Sequence, residues 1–265
     1  MSSQKPERVV YNKHAMHSKL SNSELEQYDR HLKIPAVGES GQLKLKNASV
    51  LIAGCGGLGS ASALYLAAAG IGRICVVDSD QVELSNLQRQ VIHSTESIGK
   101  PKVLSAEDRL SALNPNIKIE SRQTYIDNEN VGDVIKDSQI VIDATDNFDT
   151  RYVLNDACVK SGIPFIYGAI FQFSGQMSVF NIYNGPCFRC VFANPPSEEY
   201  KAANRGVGVI GALPGIIGSL QALEAIKYFT GLGEVMSGRM LLFDGLEMEF
   251  KQISIKKNYD CPVCS

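Results

Sequence analysis

The sequence predicts an α/β protein with a mostly parallel central sheet and flanking helices. Three observations predict this fold: short β-branched segments alternate with helical segments from residue 48 onward, a glycine-rich turn follows the first strand, and an acidic residue ends the second. Together they are typical of a Rossmann-like sheet. The 265 residues, 44% hydrophobic and 20% charged, can bury a large core, which excludes a disordered chain, a collagen and a disulfide-stabilised miniprotein.

The elements follow one another as this fold requires. Residues 1–22 are polar and are expected to form a flexible arm, and residues 23–47 have the apolar spacing of a helical arm. Strands are predicted at Ser49–Ala53, Arg73–Val77, Ile117–Glu120, Gln139–Asp143, Pro164–Gly168, Gln176–Phe180, Met240–Asp244 and Phe250–Ile255. Helices are predicted at Gly59–Ala69, Pro101–Leu113, Val131–Lys136, Asn155–Ser161 and Leu213–Thr230. The alternating run Gln176–Phe180 favours an antiparallel edge strand, so the C-terminal half extends the parallel sheet with antiparallel strands.

Charge and hydropathy limit the partners. Lys and Arg number 26 and Asp and Glu 28, giving a net charge of −2, so no basic field indicates nucleic acid or an anionic membrane. The most apolar helical stretch, Ser60–Ile71, is too short to span a bilayer, and the N-terminus lacks a secretory signal. We expect a cytoplasmic protein that binds neither membranes nor nucleic acid.

The glycine-rich turn is the strongest local signal. Gly54, Gly56, Gly57 and Gly59 lie directly after a strand and before a helix, where backbone N–H groups and the helix dipole favour phosphate. Asp78 ends the next strand, where an acid can accept hydrogen bonds from a ribose. By themselves these residues are also compatible with an NAD-linked oxidoreductase.

Polar and charged residues downstream favour a triphosphate over NAD. A departing pyrophosphate needs Arg and Lys beside it and a carboxylate to hold a divalent metal, whereas glycine-loop N–H groups suffice for a dinucleotide. Asp146 follows a strand, at the edge where open parallel sheets bind ligands. The candidate residues for this site are Asp80, Ser85, Asn86, Arg89, Lys102, Asp146 and Asn147.

Two Cys-x-x-Cys pairs predict a structural zinc site. Cys187 and Cys190 form one pair, and Cys261 and Cys264 form the other. Two redox-active pairs are the alternative, but a thioredoxin-type motif opens a helix after a strand, whereas the second pair ends this sequence. The other three cysteines lie in apolar surroundings typical of packing.

The ordered set of motifs resembles the ubiquitin-activating-enzyme-like (ThiF) adenylyltransferases, especially those that activate sulfur-carrier proteins for molybdopterin or thiamine synthesis. The resemblance covers residues 23–265 as a single domain. It divides the domain into the helical arm 23–47, a nucleotide-binding half 48–170, and a half 171–265 that binds the carrier and zinc and includes a crossover loop 194–207. The motifs that carry it are Tyr28–His31, Gly54–Gly59, Val77–Asp80, Ser85–Gln90, Lys102, Ala144–Phe148, Gly218–Lys227 and both cysteine pairs.

This resemblance implies that ATP adenylates the C-terminal Gly-Gly carboxylate of a ubiquitin-like carrier, giving an acyl-AMP and pyrophosphate. By resemblance, Gly57 approaches the phosphates, Asp78 binds the ribose and Asp146 positions Mg²⁺. Asn86, Arg89 and Lys102 hold the triphosphate, and Arg30 reaches the ATP of the other subunit in a homodimer. Arg30, Arg89, Lys102 and Asp146 are therefore the expected catalytic residues.

One position departs from the family. Some relatives carry a thioester-forming cysteine in the crossover loop, whereas Asn204 stands at the matching position here, and the loop has no cysteine. We expect adenylation without a thioester and a separate sulfur donor, since no sulfurtransferase sequence follows Ser265. Adenylation of another carboxylate or of a modified nucleoside remains an alternative, and the sequence does not separate the carrier pathways.

Overall fold

The computed structural model describes residues 17–203 and 206–265. Most of the N-terminal arm 1–22 and the crossover position Asn204 lie outside these residues. The described part holds ten α-helices. In chain order they are α1 (Asn22–Gln27), α2 (Asp29–Leu32), α3 (Gly38–Lys46), α4 (Gly57–Ala69), α5 (Lys102–Leu113), α6 (Val131–Ile135), α7 (Phe148–Ser161), α8 (Phe188–Val191), α9 (Glu198–Ala203) and α10 (Ala212–Thr230).

One eight-stranded sheet runs through the molecule, in the order β3-β2-β1-β4-β5-β6-β7-β8. Its strands are β1 (Ser49–Ala53), β2 (Arg73–Asp78), β3 (Lys118–Gln123), β4 (Ile140–Asp143), β5 (Phe165–Phe171), β6 (Ser174–Phe180), β7 (Arg239–Asp244) and β8 (Glu249–Ser254). Strands β1 to β5 are parallel, whereas β6, β7 and β8 pair antiparallel. The predicted fold class is therefore confirmed.

The position of β6 differs from its prediction. The sequence pattern predicts an edge strand at Gln176–Phe180, but β7 pairs with the free side of β6 and β8 covers β7, so that prediction is wrong. The sequence around β6 does not indicate this pairing, because β7 and β8 come after α10 in the chain. Strands β3 and β8 form the edges instead.

Two helical segments also differ from the predicted pattern. The helical arm 23–47 consists of three short helices, and a capping box between Ser21 and Glu24 stabilises the start of the first. Helix α7 begins at Phe148 rather than Asn155, because the Asn147 side chain accepts a hydrogen bond from the N–H of Thr150 at 2.8 Å and caps the helix.

Helices cover both faces of the sheet. In β1, Val50 and Ile52 join a buried cluster with α4, α5 and α10, whereas Leu51 and Ala53 join a second cluster with α6 and α7. This alternation is the period-two pattern of a strand buried on both faces. No helix within the described ranges is long and apolar enough to cross a bilayer.

Helix α10 packs closely against the first turn of α4. A Cβ at Gly218 of α10 would lie 2.4 Å from the carbonyl oxygen of Leu58, so the two helices approach too closely there for any side chain. The crossing therefore fixes the glycine-rich turn that precedes α4 against the rest of the domain.

Candidate functional site

The glycine turn between β1 and α4 needs most of its glycines for the fold itself. Gly54 has a φ of +101°, and a Cβ there would lie 2.5 Å from the carbonyl oxygen of Ala144. A Cβ at Gly59 would lie 1.9 Å from the carbonyl oxygen of Gly54, and one at Gly57 would lie 2.8 Å from Pro214. These three positions are glycine because protein atoms fill the adjacent space.

Gly56 is different, because it faces open space. A Cβ there would meet only the side-chain nitrogen of Gln90, at 3.7 Å. Helix α4 begins at Gly57, and the N–H groups of Gly56 and Gly57 have no acceptor among the described residues. Free N–H groups at the positive end of a helix dipole form a site for an anion such as phosphate. The turn thus provides a cradle that a side chain at Gly56 would fill.

Asp78 ties the end of β2 to this turn. Its Oδ2 accepts a hydrogen bond from the N–H of Cys55 at 2.7 Å, and its Oδ1 accepts one from the N–H of Asp80 at 2.8 Å. A carboxylate has about four acceptor sites, so Asp78 retains capacity for ligand hydroxyl groups.

A cavity of about 220 Å³ opens beyond β2, lined by Asp80, Gln81, Glu83, Asn86 and Lys102. The Lys102 side chain is only 8% exposed, and its ammonium lies 2.8 Å from the carboxylate of Asp80. A buried cation beside a polar cavity is suited to attract a phosphate. The cavity, the glycine turn and Asp78 meet at the carboxyl ends of the parallel strands.

Arg89 and Ser85 lie on the segment that follows this cavity. The guanidinium of Arg89 donates to the carbonyl oxygen of Ser85 at 3.2 Å, and the Ser85 hydroxyl lies 3.3 Å from a carboxylate oxygen of Glu83. Arg89 is half-buried and forms no ion pair among the described residues. Its charge therefore remains available to a ligand.

Asp146 and Asn147 follow β4, at the carboxyl ends of the parallel strands, where the glycine turn also lies. Asp146 is exposed and makes no hydrogen bond or ion pair within residues 17–203 and 206–265. Asn147 caps α7, so its side-chain oxygen already has a partner in the N–H of Thr150. The structure thus presents Asp146 as a free carboxylate and Asn147 as the residue that positions the turn.

The four cysteines of the two Cys-x-x-Cys pairs come together. Their Sγ atoms all lie within 4.8 Å of one another, with separations of 3.4 Å for Cys190 to Cys264, 3.6 Å for Cys187 to Cys261 and 3.9 Å for Cys187 to Cys190. In a tetrahedral site with zinc–sulfur bonds of roughly 2.3 Å, neighbouring sulfurs are about 3.8 Å apart. The cluster therefore fits a metal ion held by four thiolates.

Comparison with known proteins identifies the family. The ThiF family profile matches residues 28–263. This chain belongs to the ThiF family. A sulfur carrier protein adenylyltransferase of Thermus thermophilus is 45% identical over 249 residues, which cover 92% of each chain. The adenylyltransferase and sulfurtransferase MOCS3 of Culex quinquefasciatus is 47% identical over 94% of this chain, but the match spans only 57% of that longer relative.

Solved structures show the same fold. Escherichia coli MccB, solved with ATP, superposes with a TM-score of 0.81 at 24% identity, covering 94% of this chain and 76% of MccB. The family and the names of both relatives identify this ThiF-family protein as an adenylyltransferase. The alternative of an NAD-linked oxidoreductase is therefore set aside.

Among the residues predicted for the nucleotide site of this ThiF-family protein, Arg30 lies away from the glycine turn. It is exposed on α2, and the neighbouring His31 bonds to Gln42, which in turn donates to the carbonyl oxygen of Ala69 at the C-terminal end of α4. The glycine turn lies at the other end of α4, and a helix of 13 residues is about 20 Å long. Arg30 therefore lies far from the glycine turn of its own chain.

A buried ion pair beneath the Asp146 turn was missed by sequence-based prediction. Asp143, fully buried at the end of β4, lies 2.5 Å from the guanidinium of Arg151 on α7, which also donates to the carbonyl oxygen of Thr145 at 2.9 Å. Asp143 accepts from both the N–H and the hydroxyl of Thr145. An acid ending an otherwise apolar strand is the signal that could have indicated a buried partner.

Proposed function

We propose that this protein uses ATP to adenylate the C-terminal Gly-Gly carboxylate of a small ubiquitin-like sulfur carrier, releasing pyrophosphate. The observation that carries the proposal is the meeting, at one edge of the sheet, of free N–H groups at the glycine turn, the buried Lys102 ammonium and the free Asp146 carboxylate. The name of the Thermus relative supports the class of substrate.

Each group has a role that follows from its chemistry. The N–H groups of Gly56 and Gly57 receive the phosphates, and the free acceptor sites of Asp78 receive the ribose hydroxyls. Lys102 and Arg89, with the Asn86 amide, neutralise and orient the triphosphate. Asp80 holds the Lys102 ammonium at the cavity in the absence of nucleotide.

Mg²⁺ fits the donor set at this edge. Asp146 is an unpaired carboxylate at the mouth of the site, and Asp80 supplies a second acid beside the cavity. Hard oxygen ligands of this kind, together with phosphate oxygens, are those that Mg²⁺ prefers. A bound Mg²⁺ would withdraw charge from the phosphates as pyrophosphate leaves.

The reaction requires alignment rather than a side-chain nucleophile. A carrier carboxylate oxygen attacks the α-phosphorus of ATP, the bond to the bridging oxygen breaks, and pyrophosphate leaves with that oxygen. The thiol of Cys55 in the glycine turn is unsuited to attack, because burial raises its pKa well above its usual value.

A thioester step is not part of the proposal. The sequence contains no cysteine between Cys190 and Cys261, so the crossover loop 194–207 offers no thiol. The acyl-AMP is then the product released to a separate sulfur donor. Within this loop the structure places α9, which has no buried residue.

Residues 171–265 provide a surface on which a carrier could dock. Leu246, Met248 and Phe250 are large apolar side chains, each more than half exposed, on β8 and the turn before it. Exposed apolar groups concentrated in one place are typical of a protein-binding surface. We propose that the carrier packs here, with its C-terminal tail running toward the glycine turn.

The carrier requirement gives the decisive experiment. We expect exchange of labelled pyrophosphate into ATP only when a carrier ending in Gly-Gly is present, and not with the same carrier lacking its last glycine. Exchange driven by free peptides or nucleosides, but by no carrier, would favour the alternative substrates. NAD binding without ATP binding would contradict the proposal entirely.

Zinc is the proposed metal of the four-cysteine cluster, and its role is structural. Replacing Cys264 with serine is expected to abolish bound zinc and lower the thermal midpoint by on the order of 10 °C, because zinc–thiolate binding contributes directly to folding free energy. Metal analysis and calorimetry measure both effects. Cys158→Ala, at a buried cysteine outside the cluster, is the control that should retain zinc. Native protein free of zinc would overturn the assignment.

A homodimer completes the proposal, because Arg30 lies far from the glycine turn of its own chain. We expect an Arg30→Ala subunit and a Lys102→Ala subunit to be inactive separately. In a statistical mixture, hybrids contain one intact site, so about one quarter of the native pyrophosphate exchange should return. Native mass spectrometry establishes that hybrids form. Hybrids without activity would show that Arg30 does not act across the dimer.

We also place the protein in the cytoplasm, where reducing conditions keep four thiols available for a metal.

A further inference from the structure

His93 is a buried titratable group that the proposed chemistry does not use. The residue is only 8% exposed, and both ring nitrogens form hydrogen bonds. Nε2 lies 3.0 Å from the carbonyl oxygen of Cys55 in the glycine turn, and Nδ1 lies 2.9 Å from the hydroxyl of Ser105 on α5. The ring therefore joins the turn to the helix that carries Lys102.

The hydrogen-bond partners of His93 determine which ring nitrogen carries the hydrogen. A carbonyl oxygen can only accept, so Nε2 carries a hydrogen and donates it to Cys55. Burial lowers the pKa of His93 and outweighs the hydrogen bond to the Cys55 carbonyl, which raises it; the Lys102 ammonium lowers this pKa further and the Asp78 carboxylate raises it. A neutral ring with its hydrogen on Nε2 leaves Nδ1 as an acceptor, which the Ser105 hydroxyl supplies with a hydrogen.

The bond to Cys55 also sets the direction of the next N–H group. A trans peptide is planar, with its C=O and N–H on opposite sides, so the carbonyl of Cys55 and the N–H of Gly56 point in opposite directions. Because His93 holds that carbonyl, the N–H of Gly56 points away from the ring. It has no acceptor among the described residues, and the space around Gly56 is open apart from Gln90.

The N–H group of Cys55 is held by a separate hydrogen bond. The N–H of Cys55 donates to Asp78 at 2.7 Å. Both main-chain polar groups of Cys55 are thus held by side chains from other elements, one on β2 and one in the segment before α5. Few rotations remain for the peptide between Cys55 and Gly56.

We propose that His93 is a positioning residue for the phosphates of ATP: it holds the carbonyl of Cys55 so that the N–H of Gly56 faces the nucleotide, and through Ser105 it fixes this N–H relative to Lys102. The inference rests on the proposed placement of the ATP phosphates over the glycine turn. His93 itself touches neither the nucleotide nor the carrier.

The test compares the affinities for ATP and for adenosine, because adenosine lacks the groups that Gly56 would bind. Titration calorimetry on His93→Leu, which removes the donor, should show ATP affinity reduced by on the order of ten- to one hundred-fold, with adenosine affinity unchanged. In pyrophosphate exchange, the loss should appear in the KM for ATP more than in kcat. His93→Gln places an amide N–H near the Nε2 position and should restore most of the affinity.

A matched control removes a comparable bond elsewhere. The Ser178 hydroxyl donates to the carbonyl oxygen of Arg239 at 2.7 Å, between β6 and β7. Ser178→Ala should lose some thermal stability while keeping the native ratio of ATP to adenosine affinity. If His93→Leu does not fold, Ser105→Ala decides, since it releases the ring and should reduce ATP affinity alone, by several-fold.

Three outcomes would overturn the inference, and they are distinguishable. Equal ATP affinity in the native protein, His93→Leu and Ser105→Ala would remove the role of His93 while leaving the site intact. Native protein that binds ATP no more tightly than adenosine would instead remove the proposed phosphate placement, and the inference with it. Equal loss in His93→Leu and His93→Gln would also count against a donor role.

Discussion

Replacing Asp146 with alanine is expected to reduce carrier-dependent pyrophosphate exchange by on the order of a thousand-fold or more. Asp146 is exposed, follows β4 at the edge of the sheet where the glycine turn lies, and has no partner within the described ranges. Its removal therefore takes away the proposed metal ligand and breaks no hydrogen bond or ion pair among the described residues. The thermal midpoint should stay within about 2 °C of the native value.

The control for this prediction is another exposed acid. Asp133→Ala changes the net charge equally, but Asp133 lies on α6, outside the turn that follows β4, and its carboxylate pairs with Lys136. It should leave exchange unchanged. Asp146→Asn keeps one oxygen ligand and should recover part of the rate at raised Mg²⁺ concentration. If Asp146→Ala retains exchange within tenfold of native, Asp146 does not hold the metal.

Replacing Arg151 with methionine is expected to lower the free energy of unfolding by about 3–5 kcal/mol, because the fully buried Asp143 carboxylate would lose its counter-charge. For a chain of this size, that corresponds to a fall of roughly 6–20 °C in the thermal midpoint. Denaturant unfolding and calorimetry measure the two quantities. Exchange activity should fall as well, since Arg151 also holds the carbonyl oxygen of Thr145 in the turn that carries Asp146.

Two further variants isolate the cause. Lys136→Met removes one partner of the exposed pair with Asp133, whose side chains are 57% and 81% exposed, and should cost less than about 1 kcal/mol. Adding Asp143→Leu to Arg151→Met removes the unpaired charge and should recover much of the stability, though not the activity. An Arg151→Met protein as stable as native would show that Asp143 does not need its partner.

The parts of the site that sequence alone could predict are those encoded locally. The glycine turn follows the apolar strand β1, Asp78 ends β2, and Asp146 lies shortly after β4. The carboxyl ends of parallel strands lie on the same side of a sheet, so these residues are expected to lie close together. The structure joins Asp78 to the glycine turn and places Asn86 and Lys102 around one cavity. The cysteine cluster was predictable for a similar reason, because paired spacing reflects the chemistry of a metal site.

The remaining parts depend on contacts between distant segments. The pairing of Asp143 with Arg151 is determined by where α7 starts, which depends on a cap at Asn147 that periodicity does not show. The link from His93 to Cys55 spans 38 positions, and no local pattern indicates it. The interior position of β6 depends likewise on β7, which arrives after α10.

The cysteine cluster also has a consequence for a protein cut in two. Helix α9 has no buried residue, so it offers an accessible place for a protease. A nick there gives one fragment containing Cys187 and Cys190 and another containing Cys261 and Cys264. The pairing of β6 with β7 also crosses the nick. If the cluster binds the proposed zinc, the two fragments would therefore migrate together under native conditions and separate only after the metal is removed and the strands come apart.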